Sequence, residues 1–177
     1  MLGELQSQTE RISCFADTMK NINRLDEIII SRAYVSQADL LAKTEAILTV
    51  LAQKYAKQFE VHSELKEQQL NLDISIFLEV LENLIDNAMR FSVQCVRVEF
   101  RYSQSLLNVC VHDDGKGFQP DELSKAVKPY YHGESVGTEH YGMGLYICKM
   151  LCEKHGGFLR VYNSPGGGAC VEFNIAA

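Results

Sequence analysis

What the chain lacks narrows its possible work first. No stretch of about 18 apolar residues occurs anywhere in its 177, so no segment reads as a helix that crosses a bilayer. The opening residues, MLGELQSQTE, have neither the basic start nor the apolar run of a secretion signal, and a cytosolic fragment with no membrane contact of its own is the expectation. Cations are outnumbered, 17 Lys and Arg against 23 Asp and Glu. The net charge of −6 argues against a nucleic-acid surface, which needs clustered cations to displace counterions from phosphate. Zinc-site spacing is missing too. Cys148 and Cys152 share a helix face, but no second Cys/His pair is spaced to complete a metal set with them. The six cysteines (Cys14, Cys95, Cys110, Cys148, Cys152, Cys170) lie in apolar periodic segments, where free Cys acts as a small hydrophobe, and no disulfide framework is expected. No internal repeat is visible.

What is present suits one domain with a short appendage. From Leu2 to about Ile30 apolar residues recur at Leu5, Ile12, Phe15, Met19, Ile22 and Leu25, the spacing of an amphipathic helix that needs a partner. That partner is either the chain's own domain or a helix elsewhere, as in a stalk. Ala33 to Ala38 reads as a strand, with Asp39 capping a helix from Leu40 to about Gln58. Phe59 to His62 and Leu70 to Ile74 read as strands around the polar SELKEQQ, followed by an apolar helix from Phe77 to Phe91. Gln94 to Tyr102 and Leu106 to His112 alternate as in an antiparallel hairpin. A helix from Gly144 to His155 and strands at Phe158 to Tyr162 and Ala169 to Ile175 close the chain. The sum is an α+β, two-layer sandwich, three helices on one face of a mixed sheet.

Chemistry concentrates in four segments. In ENLIDNAMRFS, residues 82 to 92, Asn83 and Asn87 stand four apart on one helix face, and amide oxygens suit Mg²⁺, a hard ion that prefers oxygen. DDGKGF, residues 113 to 118, follows an apolar strand. An ionised Asp113 there offers two oxygen acceptors and no donor at the end of a strand. YGMGLYICK, residues 141 to 149, opens a helix with glycines, which lets backbone N–H groups and the helix dipole meet phosphate. GGGA, residues 166 to 169, precedes the last strand.

In this order the segments resemble the N, G1, G2 and G3 boxes of the ATPase superfamily shared by gyrase, Hsp90, histidine kinases and MutL. KPYYHG, residues 128 to 133, is similar to the F box that begins the ATP lid. The resemblance spans about Val35 to Ile175 and implies a Bergerat-type fold. It implies that Asn87 and Asn83 hold Mg²⁺, that Arg90 reaches phosphate, and that Asn83, Asn87 and Arg90 form the catalytic group. It further implies that Phe91, Asp113, Gly115, Gly117, Tyr131, His132, Gly142, Met143, Gly144, Leu145 and Ala169 surround ATP. Two positions depart from the pattern: His132 stands where relatives often have Arg, and Ala169 where many have Thr. In the gyrase, Hsp90 and anti-sigma serine kinase branches, a Glu stands where this chain has Asn83, and an amide cannot take a proton as a general base.

The resemblance therefore points to the catalytic ATP-binding domain of a two-component sensor histidine kinase at residues 31–177. Residues 1–30 would be the second helix of a dimerisation hairpin cut short of its acceptor histidine. The expected whole is a membrane-anchored homodimer that transfers the γ-phosphoryl group of ATP to a histidine and then to the receiver domain of a response regulator. An anti-sigma-type serine kinase and a nucleotide-binding module without transfer activity are the alternatives.

Overall fold

A computed structural model of the chain describes Leu25, residues 27–129 and residues 143–177. Most of the expected N-terminal helix lies outside the described residues. Glu27 is helical, and Ile28 to Arg32 have no regular structure, so the helix does not extend to Ile30.

Strand β1 (Ala33–Ser36) leads into helix α1 (Gln37–Tyr55). The N-cap is Ser36 rather than Asp39: Ser36 is extended, and its hydroxyl accepts the Asp39 N–H at 3.0 Å. Asp39 sits in the first turn, where a carboxylate favours the helix dipole. The helix stops at Ala56, whose left-handed backbone (φ 52°) returns its N–H to the last turn, two residues before the sequence pattern suggested. Strands β2 (Gln58–Ser63) and β3 (Gln69–Leu72) flank the polar turn but do not pair with each other. β3 joins β1 in a two-stranded ribbon, and β2 runs parallel to β4 (Cys95–Ser103).

Between them runs α2 (Ile74–Phe91), whose N-cap Asp73 accepts the N–H groups of Ser75 and Ile76. β4 and β5 (Leu106–Asp113) form the expected hairpin, turned by Gln104 and Ser105 with positive φ. After a single-turn α3 (Pro120–Leu123) come α4 (Gly144–Lys154), β6 (Phe158–Asn163) and β7 (Ala169–Ala176). The five-stranded sheet has the order β2-β4-β5-β7-β6, antiparallel except at β2–β4.

Alternation along the strands sends Val96, Val98, Phe100, Val109, Val111, Phe173 and Ile175 toward the helices, where they meet Phe77, Leu81, Leu84, Ile85 and Leu151. Phe77 and Phe173 touch across this core, ring centroids 5.9 Å apart. The result is the expected mixed sheet with three helices packed on one face.

The opposite sheet face overturns one expectation. Cys110 and Cys170, 60 residues apart, form a disulfide between β5 and β7. Each was read as one more alternating residue. Only the pairing of β5 with β7, which puts His112 opposite Cys170 and Cys110 opposite Glu172, brings the two sulfurs together. Cys148 and Cys152 are buried free thiols; burial pushes Cys152 up to about 12 and Cys148 well above its usual value, so both stay protonated.

Candidate functional site

One end of α2, the end of β5 and the start of α4 converge. Asn83 and Asn87 share a face of α2, and Asn87 Nδ2 donates to Asn83 Oδ1 at 3.3 Å. The first residue of α4 lies against them: a Cβ added at Gly144 would come within 2.6 Å of Asn83 Oδ1. Glycine here lets the start of a helix, with its outward N–H groups, sit directly beside the paired amides. Met143 just before it is buried, and Leu145 just after is half-buried. Glu82, one residue round the helix, is exposed.

Arg90, one turn beyond Asn87, forms an ion pair with Asp86 at 2.6 Å. Asp86 also accepts from Lys54 Nζ and the Tyr55 hydroxyl, each at 2.9 Å. Burial by itself would raise this carboxyl, but the bonds from Lys54, Tyr55 and Arg90 outweigh it and hold Asp86 below the usual carboxylate range. Arg90 is thus held against Asp86, one turn beyond Asn87 on the same helix. The i,i+4 spacing of Asp86 and Arg90 was open to reading in the sequence; the contribution of α1 was not.

Asp113 ends β5 with its side chain largely enclosed. Its Oδ1 accepts the Gly115 N–H at 2.8 Å and the Ala169 N–H at 3.3 Å. No donor among the described residues meets Oδ2. Burial raises this carboxyl above its ordinary value, against the lowering effect of the two N–H bonds. Close packing fixes the loop around it. A Cβ at Gly115 would strike the carbonyl oxygen of Phe91, and one at Gly168, where φ is +80°, would strike that of Asp113. Ala169 therefore contributes through its backbone, and the missing hydroxyl does not disturb that contact.

Two residues that sequence reasoning passed over hold this loop. The Asn163 side chain accepts the Phe118 N–H at 2.7 Å and donates to the Phe118 carbonyl at 2.8 Å, clamping the chain beside Gly117 (φ +71°). Asp114 turns away from Asp113, and its two oxygens accept the N–H groups of Val93, Gln94 and Cys95 at 2.7 to 3.1 Å. Those three bonds outweigh its slight burial and lower its pKa. Asp114 thus ties the chain leaving α2 to the loop after β5. No local pattern announces either residue, since each acts on a segment about 20 or 45 positions away.

Asn83, Asn87, Arg90, Phe91, Asp113, Gly115, Gly117, Met143, Gly144, Leu145 and Ala169 all fall on these converging elements. Tyr131, His132 and Gly142 lie outside the described residues. The geometry offers an acceptor for an adenine amine at Asp113 Oδ2, a pair of hard amide groups at Asn83 and Asn87, and a helix start for anionic phosphate.

Comparison with known proteins bears on the family and the fold. A family model described as histidine kinase-, DNA gyrase B-, and HSP90-like ATPase matches residues 72–177. The sensor protein KdpD of Clostridium acetobutylicum is 30% identical over 182 residues, covering 99% of this chain and 20% of that protein. The sensor protein SrrB of Staphylococcus aureus is 27% identical over 177 residues, covering 90% of this chain and 30% of that protein. The chain thus spans between a fifth and a third of the length of these curated relatives. Among solved structures, full-length ShkA in complex with AMPPNP superposes with a TM-score of 0.79 at 21% identity, over 98% of this chain and 37% of that one.

Proposed function

Because the chain belongs to the family of histidine kinase-, DNA gyrase B-, and HSP90-like ATPases, we propose that it binds ATP and serves as the catalytic part of a sensor histidine kinase. The observation that carries this reading is Asn83. The position facing Gly144 holds an amide, and the neighbouring carboxylate of Glu82 is exposed on another side of the helix. A site built this way can hold a triphosphate but, among the described residues, places no base beside Gly144 to strip a proton from water, which favours the kinase reading over the hydrolases of the family.

Each residue then has a task. Asp113 Oδ2 accepts the adenine amine and so prefers ATP to GTP. The N–H groups at Gly144 and Leu145, at the open end of α4, meet phosphate, and Arg90 adds positive charge nearby. The residues fit Mg²⁺ by donor chemistry, since Asn83 and Asn87 present amide groups side by side; Asn87 would hold it, with Asn83 assisting. When bound, Mg²⁺ neutralises charge developing on the phosphates. A neutral imidazole nitrogen from a separate helix attacks the γ-phosphorus. The bond from that phosphorus to the bridging oxygen breaks, ADP leaves, and the imidazole proton passes to solvent. Positioning does most of this work, because the imidazole needs no activation. Subsequent transfer to an aspartate of a receiver domain, homodimerisation and membrane anchoring belong to the whole protein. Residues 1–30 would supply the second helix of the dimerisation hairpin.

The test is to titrate the chain with ATP, ADP and GTP, with and without Mg²⁺, while following phosphate release. Adenine-selective binding, strengthened by Mg²⁺ and without steady turnover, supports the proposal. Continuous hydrolysis would place the chain with the gyrase-like branch, and absence of binding would make it a nucleotide-free interaction module.

A further inference from the structure

The sheet face turned away from the helices carries a second constellation that nucleotide binding does not use. Cys110 and His112 are two apart on β5 and so point to the same side. Cys170 on β7 lies directly opposite His112, and Glu99 on β4 lies directly opposite Cys110. The two sulfurs and a ring nitrogen of His112 all fall within 4.8 Å of one another. His112 Nε2 stands 3.8 Å from Cys170 Sγ and 3.9 Å from Glu99 Oε1, while Nδ1 is bonded to the Ser164 hydroxyl at 3.1 Å.

These distances have the scale of one shared ion. Two thiolates bound tetrahedrally to zinc at about 2.3 Å lie roughly 3.8 Å apart, so ligand atoms spread over less than 5 Å can close on a single centre with small side-chain rotations. Three neighbouring strands of a hydrogen-bonded sheet supply the ligands, which preorganises them. The Ser164 bond has the form of an outer-shell contact: it fixes the ring and turns Nε2 toward Cys170. Access exists as well, since a cavity of about 410 Å³ is lined by Glu99, Cys110, His112, Tyr162 and Glu172. Glu172 is occupied by Arg160 at 2.7 Å and by the Tyr162 hydroxyl at 3.2 Å, whereas Glu99 meets Arg101 through Oε2 at 3.4 Å and turns Oε1 toward His112, which makes it the candidate for a fourth position.

We propose that Cys110, His112 and Cys170, with Glu99 as the fourth group, form a binding site for one Zn²⁺ ion that exists only when the disulfide is reduced. The balance is simple. A dithiol reductant cleaves the sulfur–sulfur bond, leaving two protein thiols and itself oxidised to a disulfide. Zn²⁺ then displaces the two thiol protons and binds two thiolates, a neutral imidazole nitrogen and a carboxylate oxygen. The same pair of sulfurs thus has two exclusive states, a disulfide or a metal-bound thiolate pair.

The experiment uses the whole 177-residue chain, reduced with a dithiol, freed of reductant without air and titrated with Co²⁺ as a spectroscopic probe. The expected result is sulfur-to-cobalt charge-transfer absorption with tetrahedral d–d bands, saturating at one equivalent and bleached by Zn²⁺. The oxidised chain, Cys110→Ser and His112→Ala should each lose the tetrahedral spectrum, while Cys95→Ser keeps it. Circular dichroism of each variant establishes that it is folded, and since Cys110 and His112 are only half-buried, their replacement leaves the core intact. A reduced wild-type chain with no thiolate–cobalt absorption, or an unchanged spectrum in folded Cys110→Ser, would overturn the proposal.

Discussion

Replacing Asp113 by Asn changes almost no volume but reverses the chemistry at one atom. In the structure Oδ1 is committed to the N–H groups of Gly115 and Ala169, at 2.8 and 3.3 Å, so the substituted side chain must keep its remaining oxygen there. The NH₂ group then occupies the place of Oδ2 and faces the adenine amine, donor against donor. A hydrogen bond to a charged acceptor is worth about 1.5 to 3 kcal/mol, so ATP affinity should fall roughly 10- to 150-fold. Guanine presents an acceptor at the same position, so GTP should bind no worse or slightly better. Calorimetric titration of both nucleotides against both proteins reads this directly, with the thermal midpoint as the control for folding. Unchanged ATP affinity would refute the assignment of Asp113 to the base. An equal loss for ATP and GTP would show that the substitution had merely loosened the loop. The wild-type site should also weaken in acid. Because burial raises the Asp113 carboxyl, the ionised form that accepts the amine is lost at a higher pH than for an ordinary aspartate, and Asp113→Asn should abolish that particular dependence.

Other expectations follow from the same geometry. Asn87→Ala should weaken ATP binding in the presence of Mg²⁺ and leave binding in chelator nearly unchanged, which titrations in the two buffers would separate. Gly168→Ala places a Cβ against the Asp113 carbonyl at a positive φ, and should cost at least about 2 kcal/mol in chemical denaturation. His155 is buried and neutral, and its Nε2 accepts the Asp73 N–H at 2.9 Å. Burial lowers its pKa, with the Arg32 charge adding to the effect. The unfolded chain, with an imidazole near 6.5, therefore binds the proton more readily than the folded one. Stability should be level above that pH and decline below it, and thermal midpoints between pH 7.5 and 5 would show no such decline if His155 were already protonated in the fold.

The sequence conveyed the architecture because each element carries its own signal. The apolar stripe of α2, the alternation of β4 and β5 and the glycine-rich starts of the loops are local patterns, and the structure follows them. Element ends were harder, since Ser36 and Asp39 are both capping residues three apart and only backbone geometry decides that Ser36 takes the role. Asp113, Asn87 and Gly144 could be named from motif spacing, but their supports could not. Asp114, Asn163 and Lys54 act across 20 to 45 positions, through contacts that exist only once the sheet has assembled. The Cys110–Cys170 pair was hidden for the same reason. Its ligand-like spacing runs across strands, and a linear scan for zinc motifs looks only along one.

The contacts of Ser31 and Arg32 have a mechanical consequence. The Ser31 N–H donates to Asp73 Oδ2 at 2.8 Å, and Arg32 reaches the His155 carbonyl at 3.4 Å, while the Asp73 N–H is bonded to the His155 ring. Asp73 is the cap of α2, and Asn83 stands ten residues further on, about 15 Å along a stiff rod. A twist or pull arriving through residue 31 is therefore borne by the heel of that rod and by the tail of α4 together, with no slack loop between. The asparagine pair is thus carried on the same helix whose N-cap these contacts hold.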